Sequence, residues 1–414
     1  MYHRKLYCGG EIITCNLRDE VAEAMVTEDD RILYVGEYRE ARFLCDADTE
    51  VCRMDGGAIL PGFFSDFDIL TEETLRDGFP DAVRHPASPD ADINEGLCAE
   101  HAVRGSFDFA AYCFSRGITT VTDADSIKPP SFRRLQRGGD AVSAGPRRVL
   151  DMRSEGDAPT DADNIGAAGL CTGFGNEELR VGAVRLPVRE EDTYHASFPS
   201  WLAARIRRFT DIGLGVALAP VGERAQRMAV SAYRAAVPHP TGRDRILLCC
   251  DPPERTADEI AVAHLCVSIR AIGLLEPSPT EPPRLSRLAA RGIPLLLSTE
   301  GLPPRLGAPL LLLAAAQEGR AYSPLMRSAS LLPPAQTLRM LTLSCAKAAG
   351  TDRMTGSLEW GKKADFVWLA ASPLRLSPDR IRRLAVRRTV KDGKTVWYAP
   401  QPASVPSRET MPLS

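Results

Sequence analysis

The middle of the chain alternates short apolar runs with helical patterns, and this alternation is its strongest constraint on fold. Apolar runs lie near 59–69, 118–123, 147–152, 180–186, 214–219, 244–250, 271–275 and 293–298. Helical periodicity falls near 97–115, 198–211, 222–236, 257–269, 282–290, 308–318 and 334–348. Thr256-Ala257-Asp258-Glu259 reads as a capping box opening one of these helices. A strand that pairs parallel with its successor needs a crossover, usually a helix. Eight such units predict an α/β fold, a (β/α)8 TIM-type barrel over residues 58–354.

The two ends have a different texture. Residues 21–26 and 32–35 alternate with period two around the turn Glu28-Asp29-Asp30, and the pattern returns over 365–369, 386–390 and 395–398. Asp392-Gly393 is a strong hairpin turn, since both residues tolerate positive φ. Residues 1–57 and 355–400 are therefore expected to build one small composite β-sandwich. Residues 401–414, rich in Pro and Ser, read as a disordered tail.

Composition narrows the function classes. The net charge is −3, and Arg205-Ile206-Arg207-Arg208 reads as a solvated helix face, so no nucleic-acid partner is expected. The longest apolar run, 308–316, is about half of the ~20 residues that span a bilayer, so no membrane partner is expected. No basic-then-apolar leader opens the chain. Eleven cysteines lack C-x-x-C spacing, which fits a reducing, cytoplasmic setting.

Several segments resemble the amidohydrolase superfamily, closest to its family 3 branch. Gly57-Ala58-Ile59-Leu60-Pro61-Gly62-Phe63-Phe64-Ser65-Asp66-Phe67-Asp68-Ile69 resembles the signature P-G-F-I-D-x-H-x-H. Gly356-Ser357-Leu358-Glu359-Trp360-Gly361-Lys362-Lys363-Ala364-Asp365-Phe366-Val367 is similar to G-S-L-E-x-G-K-x-A-D-F-V. Arg31 to Gly36 resembles the hairpin G-R-I-x-x-V-G, with Asp30 where Gly is usual. Gly222-Glu223-Arg224-Ala225 resembles the G-D-R-A after the fifth strand. Residues 117–124 and 172–186 resemble the second strand and the approach to the fourth.

The resemblance implies metal-dependent hydrolysis of carbon–nitrogen, non-peptide bonds. Metal acidifies a bound water and polarises the scissile carbonyl, so its ligands must be lone-pair donors. The ligand positions implied by the resemblance carry none of the family's chemistry. Phe67 and Ile69 stand at the two histidines of strand one, and Arg185 at the bridging lysine of strand four. Ala219 replaces the histidine of strand five, Leu248 that of strand six, and Thr299 the aspartate of strand eight. The six histidines form no H-x-H or H-x3-H pair.

Rebuilt chemistry has three candidate sources. Asp66 and Asp68 form D-x-D one residue out of the H-x-H register. A one-residue slip turns both inward, where they could hold a hard cation. Without it they face the helix layer. Cys249-Cys250 could look into the barrel mouth, and Glu300 could stand in for the strand-eight acid. Arg185 should need an acid or an anion, and Asp123, Glu223, Asp251 and Glu300 are the candidate acids.

Three functions follow. The first is a metal-free degenerate member, without C–N hydrolysis or cofactor, keeping a binding pocket or an assembly role as a homo-oligomer or with a protein partner. The second is an active hydrolase rebuilt around Asp66 and Asp68, with Asp123 and Glu300 nearby. The third is a non-hydrolytic enzyme or anion-binding protein that uses Arg185 to hold a small anionic ligand.

Overall fold

The computed structural model describes residues 3–67, 110–123, 145–154, 161–240, 242–271, 274, 282–299, 308–318 and 332–399. The segments 71–94 and 401–414, most of 97–115, and Asp68, Ile69 and Glu300 lie outside them.

Strands Arg4–Ile13 (β1), Val21–Glu28 (β2), Arg31–Gly36 (β3), Glu50–Arg53 (β4) and Ala58–Pro61 (β5) join Phe366–Leu369 (β14), Val386–Lys391 (β15) and Lys394–Tyr398 (β16). Their order is β16-β15-β14-β5-β1-β2-β3, with β4 also on β1. Both termini thus share one connected mixed sheet, the composite β unit that the sequence predicted. Its main core gathers Tyr7, Met25, Ile59, Phe366 and Val390, from five different strands, in a single cluster. At the β15–β16 turn Asp392 and Gly393 take φ of 51° and 69°. A Cβ on Gly393 would lie 1.8 Å from the Asp29 carbonyl oxygen, so only glycine fits there.

The second sheet has eight strands in chain order, all parallel: Phe63–Phe67 (β6), Ile118–Asp123 (β7), Arg147–Arg153 (β8), Leu179–Val188 (β9), Val216–Pro220 (β10), Arg245–Leu248 (β11), Cys266–Arg270 (β12) and Leu295–Ser298 (β13). Side-chain alternation divides it into two faces. Val184, Leu218, Ile246 and Ile269 pack with the helix residues Leu202, Ile206 and Tyr233. Phe64, Val149, Cys266 and Leu296, from strands far apart in the order, meet one another and Ala346, so they fill the lumen of a closed barrel.

Barrel closure uses a short irregular segment. Met340 and Leu341 offer carbonyls to Leu297 N–H (3.0 Å) and Phe64 N–H (2.9 Å), joining β13 to β6. The helix expected over 334–348 is accordingly two helices, Pro334–Arg339 and Leu343–Ala348, interrupted where those carbonyls are needed. Another expectation is also corrected. Residues 257–269 are not one helix: the helix is Glu254–Val262, and the seventh strand is 266–270, not 271–275. His264 at φ 51° makes the break. The helix begins before Thr256, whose buried hydroxyl makes no cap.

An ion network fastens barrel to mixed sheet. Arg147, only 3% exposed, forms two bonds to Asp365 (2.7 and 3.2 Å) and one each to Asp392 (2.5 Å) and Glu178 (3.1 Å). Lys363 reaches Asp30, Glu177 and Asp392, while Lys391 reaches Glu178 and Asp392. The Lys363-Ala364-Asp365 stretch of the C-terminal motif is thus the hinge pin between the two units.

Candidate barrel-mouth site

β6 is built so that Asp66 enters the lumen. A register shift against β7 lies between Phe63 and Phe64. Phe63 packs in the helix-facing core and Phe64 in the lumen, and by strand alternation Asp66 follows Phe64 on the lumen face. The unslipped register, with the acid toward the helices, is corrected by the lumen placement of Phe64; the irregularity itself adds its extra residue, Thr119, on β7 and leaves the alternation of β6 unbroken. The backbone of Phe67 pairs with Asp123, but both side chains lie outside the described residues.

Facing Asp66 across the lumen is a charged pair that the sequence reading missed. Arg245 enters from β11 and bonds Asp151 of β8, both nearly inaccessible to solvent. Burial works against the Arg245 charge, but Asp151 and then Asp66 outweigh it and hold the guanidinium above its usual range. Asp151 also accepts the Ala183 N–H at 2.8 Å, at a register shift between Leu150 and Met152. Gly182 makes room: a Cβ there would lie 2.2 Å from the Asp151 Oδ1. Alternation of Arg245 with Leu247, and the R-V-L-D-M-R pattern of β8, carried the signal. It was obscured because polar residues inside a strand read as exposed.

The other expected positions separate. Arg185 alternates with Ala183, so it lies on the lumen face, where Arg153 and Ala217 are its register partners. Ala219 packs beside Ala183, Ala217 and Leu247. Leu248 does not line the mouth; it is fully buried in the helix-facing core, because Leu247 takes the inward position. Cys250 turns to the helix layer too, with its Sγ 3.0 Å from Gln226 Nε2. Its hydrogen bond with Cys249 and its burial push the thiol well up, away from the thiolate. Thr299 stitches the barrel seam: its Oγ1 is 3.0 Å from Ser65 Oγ, accepts the Asp66 N–H at 2.9 Å, and donates to the Asp66 carbonyl.

Two of the acids named for Arg185 serve other cations. Asp251 pairs with Arg287 at 2.9 Å and Arg284 at 3.5 Å, and Glu223 pairs with Arg227 on the same helix. Arg224, of the G-E-R-A stretch, donates to Thr193 at 2.9 Å and stacks over Tyr194. That motif therefore fastens the loop after β9.

Among the described residues, no three His, Cys, Asp or Glu side chains come together as a metal-holding group. The lumen carboxylates Asp66 and Asp151 already face a permanent cation, which a divalent ion would have to displace.

This barrel with its composite sheet is the architecture of metal-dependent hydrolases, and the comparisons with known proteins agree. The pattern of the amidohydrolase family matches residues 85–397, and the chain belongs to that family. Among solved structures, an uncharacterized metal-dependent hydrolase from Pyrococcus horikoshii superposes with a TM-score of 0.69 at 16% identity, covering 91% of this chain and 99% of that one. An adenosine deaminase from Xanthomonas campestris with bound zinc gives 0.65 at 16% identity, with coverage of 94% and 92%. A mutant atrazine chlorohydrolase from Arthrobacter aurescens, complexed with zinc and atraton, gives 0.64 at 16%, with 94% of each chain covered. At such identities the likeness is one of fold. No curated protein matches the chain.

Proposed function

We propose that this amidohydrolase-family protein is a metal-free, degenerate member that does not hydrolyse C–N bonds and keeps its barrel mouth as a pocket for a small anion. The observation that carries this reading is the buried Arg245–Asp151 pair with Asp66 beside it. In that arrangement the lumen carboxylates are neutralised by a guanidinium, leaving no free pair of oxygens to share a metal. Arg153 and Arg185 stand side by side on neighbouring strands above it, on the lumen face. Two adjacent guanidiniums offer planar donor forks suited to carboxylate or phosphate.

Anion binding is tested by titrating the protein with phosphate and with small dicarboxylates while following heat and thermal stability. Binding that is lost in Arg185→Ala supports the reading; no binding of any anion, with Arg185→Ala as stable as the parent, counts against it. The lumen position of Asp66 favours one alternative, a hydrolase rebuilt around Asp66 and Asp68. Metal-stimulated amide or deamination activity abolished by Asp66→Asn would establish that alternative instead.

A further inference from the structure

We propose that a groove on the mixed sheet, beside the free edge of β3, docks an extended basic segment of a partner protein. The groove has a volume of about 820 Å3 and runs between the β2–β3 hairpin and residues 358–360. Three properties define its occupant. First, its lining is acidic: Glu20, Glu23, Glu37 and Glu359 line it and no Lys or Arg does, and although Glu20 pairs with Arg18 (3.5 Å) and Glu359 with Lys362 (3.0 Å), Glu23 and Glu37 keep the lining negative. Glu359 is held charged, because Ser357 and Lys362 outweigh the effect of its burial. Second, Trp360 stands at the rim with 79% of its surface exposed, and Leu17 and Val21 are exposed close by in the chain turn that borders it. An indole in the open beside carboxylates is a surface for aliphatic stems and cationic heads.

Third, one wall is a sheet edge. β3 pairs with β2 on one side only. Its other edge is covered at Arg31 and Ile32, where Ile32 exchanges two bonds with Gly361 and Lys362. From Leu33 to Gly36 no further strand adds to it among the described residues. An extended segment entering there continues the ladder that the 361–363 stretch begins, which is strand addition. Alternate side chains of that segment then face the carboxylates. A second copy of this chain paired edge to edge would set these acids against one another, so charge favours a basic partner.

The full-length protein is titrated with a hexapeptide alternating Lys and Val, and with its Glu counterpart, by calorimetry and by tryptophan fluorescence. The Lys peptide is expected to bind, to shift the emission, and to weaken as salt rises; the Glu peptide is expected not to bind. Glu23→Lys combined with Glu37→Lys, and separately Trp360→Ala, should each weaken binding about tenfold or more. These side chains are exposed, so unchanged thermal melting is the control for folding. No binding of the Lys peptide at low salt, equal affinity in the charge-reversed variant, or spermidine binding as tightly as the peptide would each overturn the proposal.

Discussion

At residue scale, Arg245 and Asp151 place a compensated pair of charges inside the barrel. Breaking such a pair from one side leaves a buried charge behind, which costs about 3–5 kcal/mol. Arg245→Met is therefore expected to lose that much in urea unfolding. Arg245→Met with Asp151→Asn should recover most of it, since Asn keeps an acceptor for the Ala183 N–H. A loss below about 1 kcal/mol for Arg245→Met would fit only a surface-like pair. Arg185→Lys is expected not to create hydrolysis, because Asp66 remains opposite a guanidinium; measurable turnover would contradict this. The family resemblance was legible in the sequence from its flanking motifs, but those motifs did not fix the register of each strand: Phe64 faces the lumen, and Leu247 rather than Leu248 takes the inward position. Arg245 and Asp151 were not, since charged residues inside a strand read from sequence as exposed.

At the scale of elements, most strands and helices were legible from periodicity, and the helix Phe198–Asp211 and the strand Ile118–Asp123 have their expected limits. The region after Glu254 was not. Ile260, Ala261, Val262, Ala263, Leu265, Cys266 and Val267 form a run that satisfies helix and strand alike. The structure resolves the ambiguity at His264, held at φ 51°. A non-glycine residue in that region is strained by roughly 1–2 kcal/mol. His264→Gly should therefore raise the melting temperature and His264→Val lower it; the opposite order would mean that the break is set elsewhere. The barrel seam carries a second prediction. Thr299→Val leaves the Asp66 N–H without its acceptor and should cost about 1–3 kcal/mol in chemical denaturation. A neutral outcome would show that the seam rests on the Met340 and Leu341 carbonyls alone.

For the whole molecule, the junction network links two units that the sequence already paired, since both termini carry the same period-two texture. Asp392 is pushed up by burial, but Arg147, Lys391 and Lys363 outweigh that and hold its carboxyl below the usual range. A depressed carboxylate stabilises the folded state above its unfolded pKa and loses that contribution as pH falls through the folded value. Stability is therefore expected to drop as pH falls below about 4, and Asp392→Asn should flatten that acid limb. An unchanged limb would place the acid response elsewhere. Lys363 acts on the other side: its partners outweigh burial and raise it, so its contribution holds at neutral pH and is lost only in strong alkali. The described cysteines are all free thiols, and no described helix is long and apolar enough to cross a membrane. The central claim remains the chemistry of the lumen. Elemental analysis of the protein, purified after expression with added zinc, manganese and iron, tests it most directly. Metal well below stoichiometric, in parent and Arg245→Met alike, is the predicted result; one or more equivalents of any of the three, retained through gel filtration, would contradict it.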